Sequence, residues 1–175
     1  MALLQVFAPG RPVHARRIGP ADQGFLQALY ASTRAQELAC TGWPPERQRA
    51  FLDTQFGYQQ RYYAEHYADA EFLLLSHGHE AIGRLLWQDT AHASTLIDIS
   101  LLPAWRGRGL GRGLLATLCG HADAAGRPVG LHVEPDNPAR RLYTRFGFEV
   151  TADNGVHLKM RRPPQSRPTT AEAVG

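Results

Sequence analysis

The run from Pro103 to Leu115 constrains this chain more than any other segment. It reads Pro-Ala-Trp-Arg-Gly-Arg-Gly-Leu-Gly-Arg-Gly-Leu-Leu. It passes directly into Leu110, Leu114, Leu118 and Ala122, apolar residues spaced for one face of a helix from Gly109 to about Ala125. Before it, Thr95 to Leu102 is rich in apolar and β-branched residues and is closed by Pro103, the pattern of a strand. A glycine in a first helical turn costs about 1 kcal/mol relative to alanine, so three of them near a helix start need a reason. The reason expected here is close approach of a ligand to the backbone. A helix N-terminus presents unpaired N–H groups and a partial positive charge, and Arg106, Arg108 and Arg112 add to that field. A pyrophosphate is the expected guest, against the plainer reading of a flexible surface turn with solvated arginines.

The spacing narrows the guest. The dinucleotide pattern G-x-G-x-x-G fails, because Arg112 and Leu114 stand where a third glycine would be needed, and no G-K-[ST] ending of a P-loop is present. What remains is R-x-x-G-x-G, from Arg106 to Gly111.

The rest of the chain supplies the frame. A strand from about Val13 to Ile18 leads to Asp22, a candidate N-cap for a helix reaching roughly Arg34. After Gly42, Trp43, Pro44 and Pro45, helical spacing of Phe51, Leu52, Phe56, Gln59, Tyr63 and Tyr67 predicts a second helix over 45–66. Glu71 to Ser76 and Ala81 to Gln88 form a hairpin around His77 to Glu80. A strand near Val129 to Val133, a helix from Pro138, and a last hairpin, Phe148 to Ala152 with Val156 to Arg161, complete the order βααβββαβαββ. Residues 163–175, with three prolines and small polar residues, read as a disordered tail behind one domain over 1–162.

Composition sets the outer limits. With 175 residues, 43% apolar and 20% charged, the chain fits one ordinary globular domain. Its net charge of +3 comes with clustered arginines, including Arg140 and Arg141, which favours a local anionic ligand over a nucleic-acid-coating surface. An Arg-Gly nucleic-acid module is the competing class, weakened because the tract is single and runs straight into an apolar-striped helix. The N-terminus lacks a basic region, and no stretch has membrane-spanning length, so neither a signal peptide nor a membrane partner is expected. Cys40 and Cys119 are too few for a disulfide framework and lack metal-type spacing, and His77 and His79 flank a hairpin glycine without further ligand-spaced partners, so a reducing cytoplasm and no metal are expected.

The segment Arg106 to Gly111 resembles the coenzyme A pyrophosphate motif of the GNAT superfamily of N-acetyltransferases. A second segment, Leu131-His132-Val133-Glu134-Pro135-Asp136-Asn137 through Tyr143 to Gly147-Phe148, is similar to that superfamily's strand, Asn, Tyr-bearing helix and Gly-Phe turn. Its interval from Asn137 to Tyr143 is six residues, one shorter than in many members, which bears on where the helix begins. The likeness spans about residues 13–162. It implies an α/β fold, a central, mostly antiparallel mixed sheet with flanking helices, with acetyl-CoA as cosubstrate and a small-molecule or peptide amine as acceptor. It also implies that the backbone of Ile99, Ser100 and Leu101 pairs with the pantetheine arm. Arg106, Gly107, Arg108, Gly109, Leu110, Gly111 and Arg112 would hold the pyrophosphate, and Asn137 would bind the same cofactor. The thioester would lie between the strand ending at Leu102 and the one ending near Val133.

Acetyl transfer needs a proton donor for the departing thiolate and loss of a proton from the amine. The resemblance assigns the donor to Tyr143, whose plainer role is a helix tyrosine packing its ring. His132, Asp98 and Glu37 are alternative bases beside a water chain. His132 stands where some members carry a catalytic Glu, Asp98 alternates with Leu96 and Ser100 on its strand, and Glu37 falls between the first two helices. An acyl-CoA sensor without turnover remains the alternative function, and monomer and homodimer are both admitted.

Overall fold

A computed structural model describes residues 5–8 and 11–165 of the chain. Its strands are β1 (Gln5–Ala8), β2 (Arg11–Arg17), β3 (Glu71–His77), β4 (Glu80–Asp89), β5 (Ser94–Leu101), β6 (Val129–Val133), β7 (Glu149–Asp153) and β8 (Leu158–Arg162). Its helices are α1 (Gln23–Ala39), α2 (Pro45–His66), α3 (Leu110–Ala124) and α4 (Arg140–Arg145). The strands form a mixed sheet in the order β1-β2-β3-β4-β5-β6-β8-β7. The β1–β2, β2–β3, β3–β4, β6–β8 and β7–β8 ladders are antiparallel, and β5–β6 is parallel. The chain divides into two compact units, Met1–Gln88 with Asp98–Gly111, and Asp89–Ile97 with Arg112–Gly175.

In the first unit, α2 has the bounds its apolar spacing predicts. It buries Phe56 in a cluster with Leu26, Tyr30 and Leu74, and the Tyr30 and Phe56 rings lie 5.7 Å apart. Helix α1 continues five residues past the expected Arg34, because Leu38 is drawn into the interior at 5% exposure. Asp22 precedes α1 but does not cap it with its side chain. Its oxygens take Arg16 Nη2 and Nη1 at 2.7 and 2.8 Å, and Oδ2 also accepts the Gly19 N–H at 2.8 Å. The Arg16 hydrogen bond, then that of Gly19, lowers the Asp22 pKa to about 2.

Strands β4 and β5 approach each other very closely at Gly83. A Cβ built there would stand 2.3 Å from the Ser100 carbonyl oxygen and 2.7 Å from a Leu101 methyl. Backbone cannot yield as a side-chain tip can, so Gly83→Ala is expected to destabilise the protein by at least about 1–3 kcal/mol. A chemical denaturation midpoint equal to wild type would show that the strands separate there at no cost.

In the second unit, Val129, Leu131, Val133, Leu158 and Met160 point inward, and His132, Lys159 and Arg161 point outward. Residues Leu114, Leu118 and Ala122 of α3 are 0–1% exposed, as their stripe predicts, and Leu110, in the first unit, is 2% exposed. Arg162 is buried, but its charge is answered: Nη1 and Nη2 donate to Asp123 at 2.6 and 2.8 Å, and Nε donates to the Phe146 carbonyl at 2.8 Å. Burial pushes the neighbouring Cys119 thiol up to about 11, so it stays an unreactive thiol near neutrality.

Three expectations change. The order is ββααβββαβαββ, one strand more than expected, because Gln5–Ala8 pairs with β2 from Gln5↔His14 to Ala8↔Arg11. Four residues are too few to show an alternation, and such a strand exists only through its ladder. Helix α4 starts at Arg140 rather than Pro138, since Asn137 Oδ1 accepts the Ala139 N–H at 2.9 Å and a turn occupies the intervening residues. In the final hairpin, Asn154 Oδ1 accepts the Val156 and His157 N–H groups at 3.0 and 2.7 Å, which delays β8 to Leu158. The tail expected to be disordered falls, from residue 166 on, outside the described residues. No helix among the described residues is long and apolar enough to cross a membrane.

Candidate functional site

The glycine-rich turn is anchored by Trp105, which is 7% exposed, donates from Nε1 to Glu80 at 3.2 Å and packs 5.1 Å from the His77 ring. Gly107 and Gly109 have φ of 68° and 80°, the left-handed region that L side chains avoid. A Cβ at either position would meet nothing within 4 Å, so the turn's own conformation already requires glycine there, in addition to any ligand's approach. Helix α3 then begins at Leu110 with its first N–H groups lacking helical partners. Arg108, 5.6 Å above the Trp105 ring, and Arg112 are both exposed. Arg106 differs from expectation. Its Nε donates to the Leu101 carbonyl at 2.8 Å and its Nη2 to Ser32 Oγ at 3.4 Å, so it ties the end of β5 to α1.

Asp98 is engaged rather than open. Its Oδ2 accepts Arg84 Nε at 2.9 Å and the Ser100 hydroxyl donates to both carboxylate oxygens at 3.2 Å. Arg84 Nη2 donates to Gln59 Oε1 at 3.0 Å, and the guanidinium lies 5.6 Å over the Tyr63 ring. Burial, and then the Asp98 charge, raises the Tyr63 hydroxyl pKa well above its usual value, keeping it protonated. Sequence reading missed Arg84. The available signal was a single charge in the middle of the apolar run Ala81 to Trp87. Tyr63 faces this cluster, whereas Tyr58 and Tyr62 are 55% and 50% exposed.

Glu37 lies inside the last turn of α1, not between the helices, and is exposed beside Arg34 at 3.4 Å. Trp43 lies in the α1–α2 connection, with its ring 5.5 Å from Phe51 and under the Arg47 guanidinium at 4.3 Å.

The second unit holds His132, Asn137 and Tyr143. His132 is exposed on β6, in register with Lys159 of β8. Desolvation, then the charges of Lys159 and His157, lowers its pKa below the usual value, so the ring is a neutral base near pH 7. Asn137 spends its side-chain oxygen on the turn before α4. It borders an open concavity of about 770 Å³ that Asp136, Arg140, Arg141 and Arg145 also line. Tyr143 is 8% exposed, with its ring 5.8 Å from Phe148. Among the described residues no group of three His, Cys, Asp or Glu side chains is placed to hold a metal ion.

Comparison with known proteins bears on this arrangement. The profile of the acetyltransferase (GNAT) family matches residues 32–148. The chain is 34% identical over 143 residues to mycothiol acetyltransferase of Corynebacterium glutamicum, covering 80% of this chain and 47% of that protein. It is 31% identical over 104 residues to the ribosomal protein bS18-alanine N-acetyltransferase of Haemophilus influenzae, covering 59% of this chain and 69% of that protein. The chain thus spans about half the length of the mycothiol acetyltransferase it matches. Among solved structures, PaiA N-acetyltransferase of Thermoplasma acidophilum in complex with coenzyme A superposes with a TM-score of 0.65 at 17% identity, over 86% of this chain and 98% of that one. Mycobacterium smegmatis RimJ in complex with CoA-disulfide gives 0.62 at 18% identity, over 94% and 90%. At these identities the structural likeness is one of fold.

Proposed function

The chain belongs to the acetyltransferase (GNAT) family, and from that premise we propose that it transfers the acetyl group of acetyl-CoA to a primary amine of a small molecule or peptide. The observation that carries this reading is the turn before α3. Left-handed Gly107 and Gly109 shape it, Arg108 and Arg112 are exposed on it, and the first N–H groups of α3 are free of helical partners. Those are the properties a pyrophosphate requires. Ile99, Ser100 and Leu101 come after Ser94–Leu96, the residues that β5 pairs with β6, which supports their backbone as the partner of the pantetheine amides. Asn137 is assigned to the same cofactor, through the amide nitrogen that its turn leaves unused.

In the reaction the amine nitrogen bonds to the thioester carbonyl carbon and the carbon–sulfur bond breaks. The sulfur leaves as a thiol on taking the Tyr143 proton, and His132 takes the proton that the nitrogen loses. His132 is preferred as base because Asp98 is held by Arg84 and Ser100 and Glu37 is paired with Arg34.

A screen of amines, peptide N-termini, polyamines and amino acids for release of free CoA tests this reading. Thermal stabilisation by acetyl-CoA with no CoA release across the panel would replace it with a sensor. A base with a lowered pKa also predicts the pH profile. The acid limb of kcat/KM should have its midpoint below the usual His value of about 6.5. His132→Gln should lose that limb and about 10²-fold in rate. A limb that survives the substitution would move the base elsewhere.

A further inference from the structure

Arg84 is 4% exposed in the middle of β4, among Ile82, Leu85 and Leu86, which are 0% exposed. A guanidinium has five N–H donors and no acceptor. Two are used: Nε bonds Asp98 at 2.9 Å and one Nη2 hydrogen bonds Gln59 at 3.0 Å, so the side fork of the group is filled. The end fork, Nη1 with the other Nη2 hydrogen, has no partner among the described residues. Nη1 is not among the fully sealed side-chain nitrogens that lack a partner, which are Arg34 Nε and Trp87 Nε1. A buried ion pair is weak evidence of stabilisation, since apolar residues of similar volume commonly replace it without loss, so stability alone gives little reason for Arg84 here. A planar fork clamped on one edge by Asp98 and Gln59 and backed by the Tyr63 ring, with its other edge bare, is preorganised for one more oxygen.

We propose that the end fork of Arg84 recognises a carbonyl or carboxylate oxygen of the acceptor, which makes the acceptor an α-aminoacyl compound. This rests on the assignment of acetyl transfer above. Asp98, which holds the fork, immediately precedes Ile99–Leu101, the segment given to the pantetheine arm, so a compact acceptor whose oxygen and amine are separated by two carbons suits a fork and a thioester held by neighbouring residues of one strand. The Tyr63 ring and its neighbours Tyr62 and Tyr67, at centroid distances of 6.1 and 6.3 Å, offer apolar surface beside the fork for the remainder of the acceptor.

The test is calorimetric binding to the full chain saturated with CoA, run beside CoA-release assays with acetyl-CoA. Three pairs serve as probes: alaninamide and ethylamine, leucinamide and isopentylamine, phenylalaninamide and phenethylamine. Each pair differs by the carboxamide alone. A hydrogen bond to a charged donor is expected to favour the carboxamide member of at least one pair by about 10- to 100-fold. The corresponding free amino acids separate the two oxygen sources: tighter binding than the amide marks a carboxylate, weaker binding a peptide carbonyl. Arg84→Lys keeps a charge opposite Asp98 but deletes the fork, and should bring the ratio near one while the stabilisation by acetyl-CoA stays intact. Equal affinity within every pair for the wild-type protein overturns the proposal whether or not the variant folds, and so does an unchanged ratio in folded Arg84→Lys. A clear ratio without CoA release supports the role of Arg84 and removes acetyl transfer. Release of CoA from both members of every pair at equal rates removes Arg84 and leaves acetyl transfer standing.

Discussion

Replacing Gly109 by Glu is expected to abolish acetyl-CoA binding, lowering affinity more than 100-fold in a protein that still folds. Two effects combine. Gly109 has φ of 80°, where a side chain costs about 1–2 kcal/mol, so the turn is strained or reshaped by any substitution. Glutamate also sets a negative charge against the pyrophosphate at a helix start whose partial charge is positive. Gly109→Ala separates the two, since it carries the strain alone and should lose about 10-fold. A Cβ at Gly109 meets nothing within 4 Å, so neither variant crowds the core and both should remain folded. Calorimetric titration with acetyl-CoA decides. A folded Gly109→Glu protein with wild-type affinity would move the pyrophosphate away from this turn.

Tyr143→Phe should lower the acetylation rate about 10²-fold or more while leaving acetyl-CoA affinity close to wild type, the usual scale for loss of a positioned general acid. The ring is 8% exposed and packs 5.8 Å from Phe148, a contact that phenylalanine keeps. Only the hydroxyl is deleted, so the melting temperature should move by a few degrees at most. The alkaline limb of the rate profile, which reports loss of the acid's proton, should weaken or shift. Near-normal turnover at saturating acetyl-CoA, with chemistry shown to limit the rate, would leave the departing thiolate to take its proton from solvent.

Much of the frame was legible in the residues. Helix α2 and strand β6 have the bounds their patterns predict, because apolar spacing over a few turns or a few alternations is itself the cause of the element. The turn before α3 was legible as well. Its spacing of glycine and arginine separated it from nucleotide loops of other kinds, and the left-handed angles at Gly107 and Gly109 are what that composition permits.

The sequence named candidate residues for the site but not the state in which the fold holds them. The same strand pattern left Asp98 free to face a cleft or solvent, and the sheet instead sets it against Arg84 of the adjacent strand. Arg106 belongs to the motif by spacing, yet its side chain turns back to Leu101 and Ser32, whose positions no local rule supplies. Glu37 was displaced from loop to helix by the burial of Leu38 next to it.

By itself, then, the sequence determined most of the segments that become helix or strand and where the glycine-rich chain turns, since these follow from dihedral preference and from contacts no more than about four residues apart. Only the tertiary structure decided that β1 exists, that Arg84 is buried with one edge bare, and which carboxylates are already spent in ion pairs. Those outcomes depend on partners brought together across the chain, as Gln59, Arg84 and Asp98 are, and a charge is costly or useful according to what the fold puts opposite it.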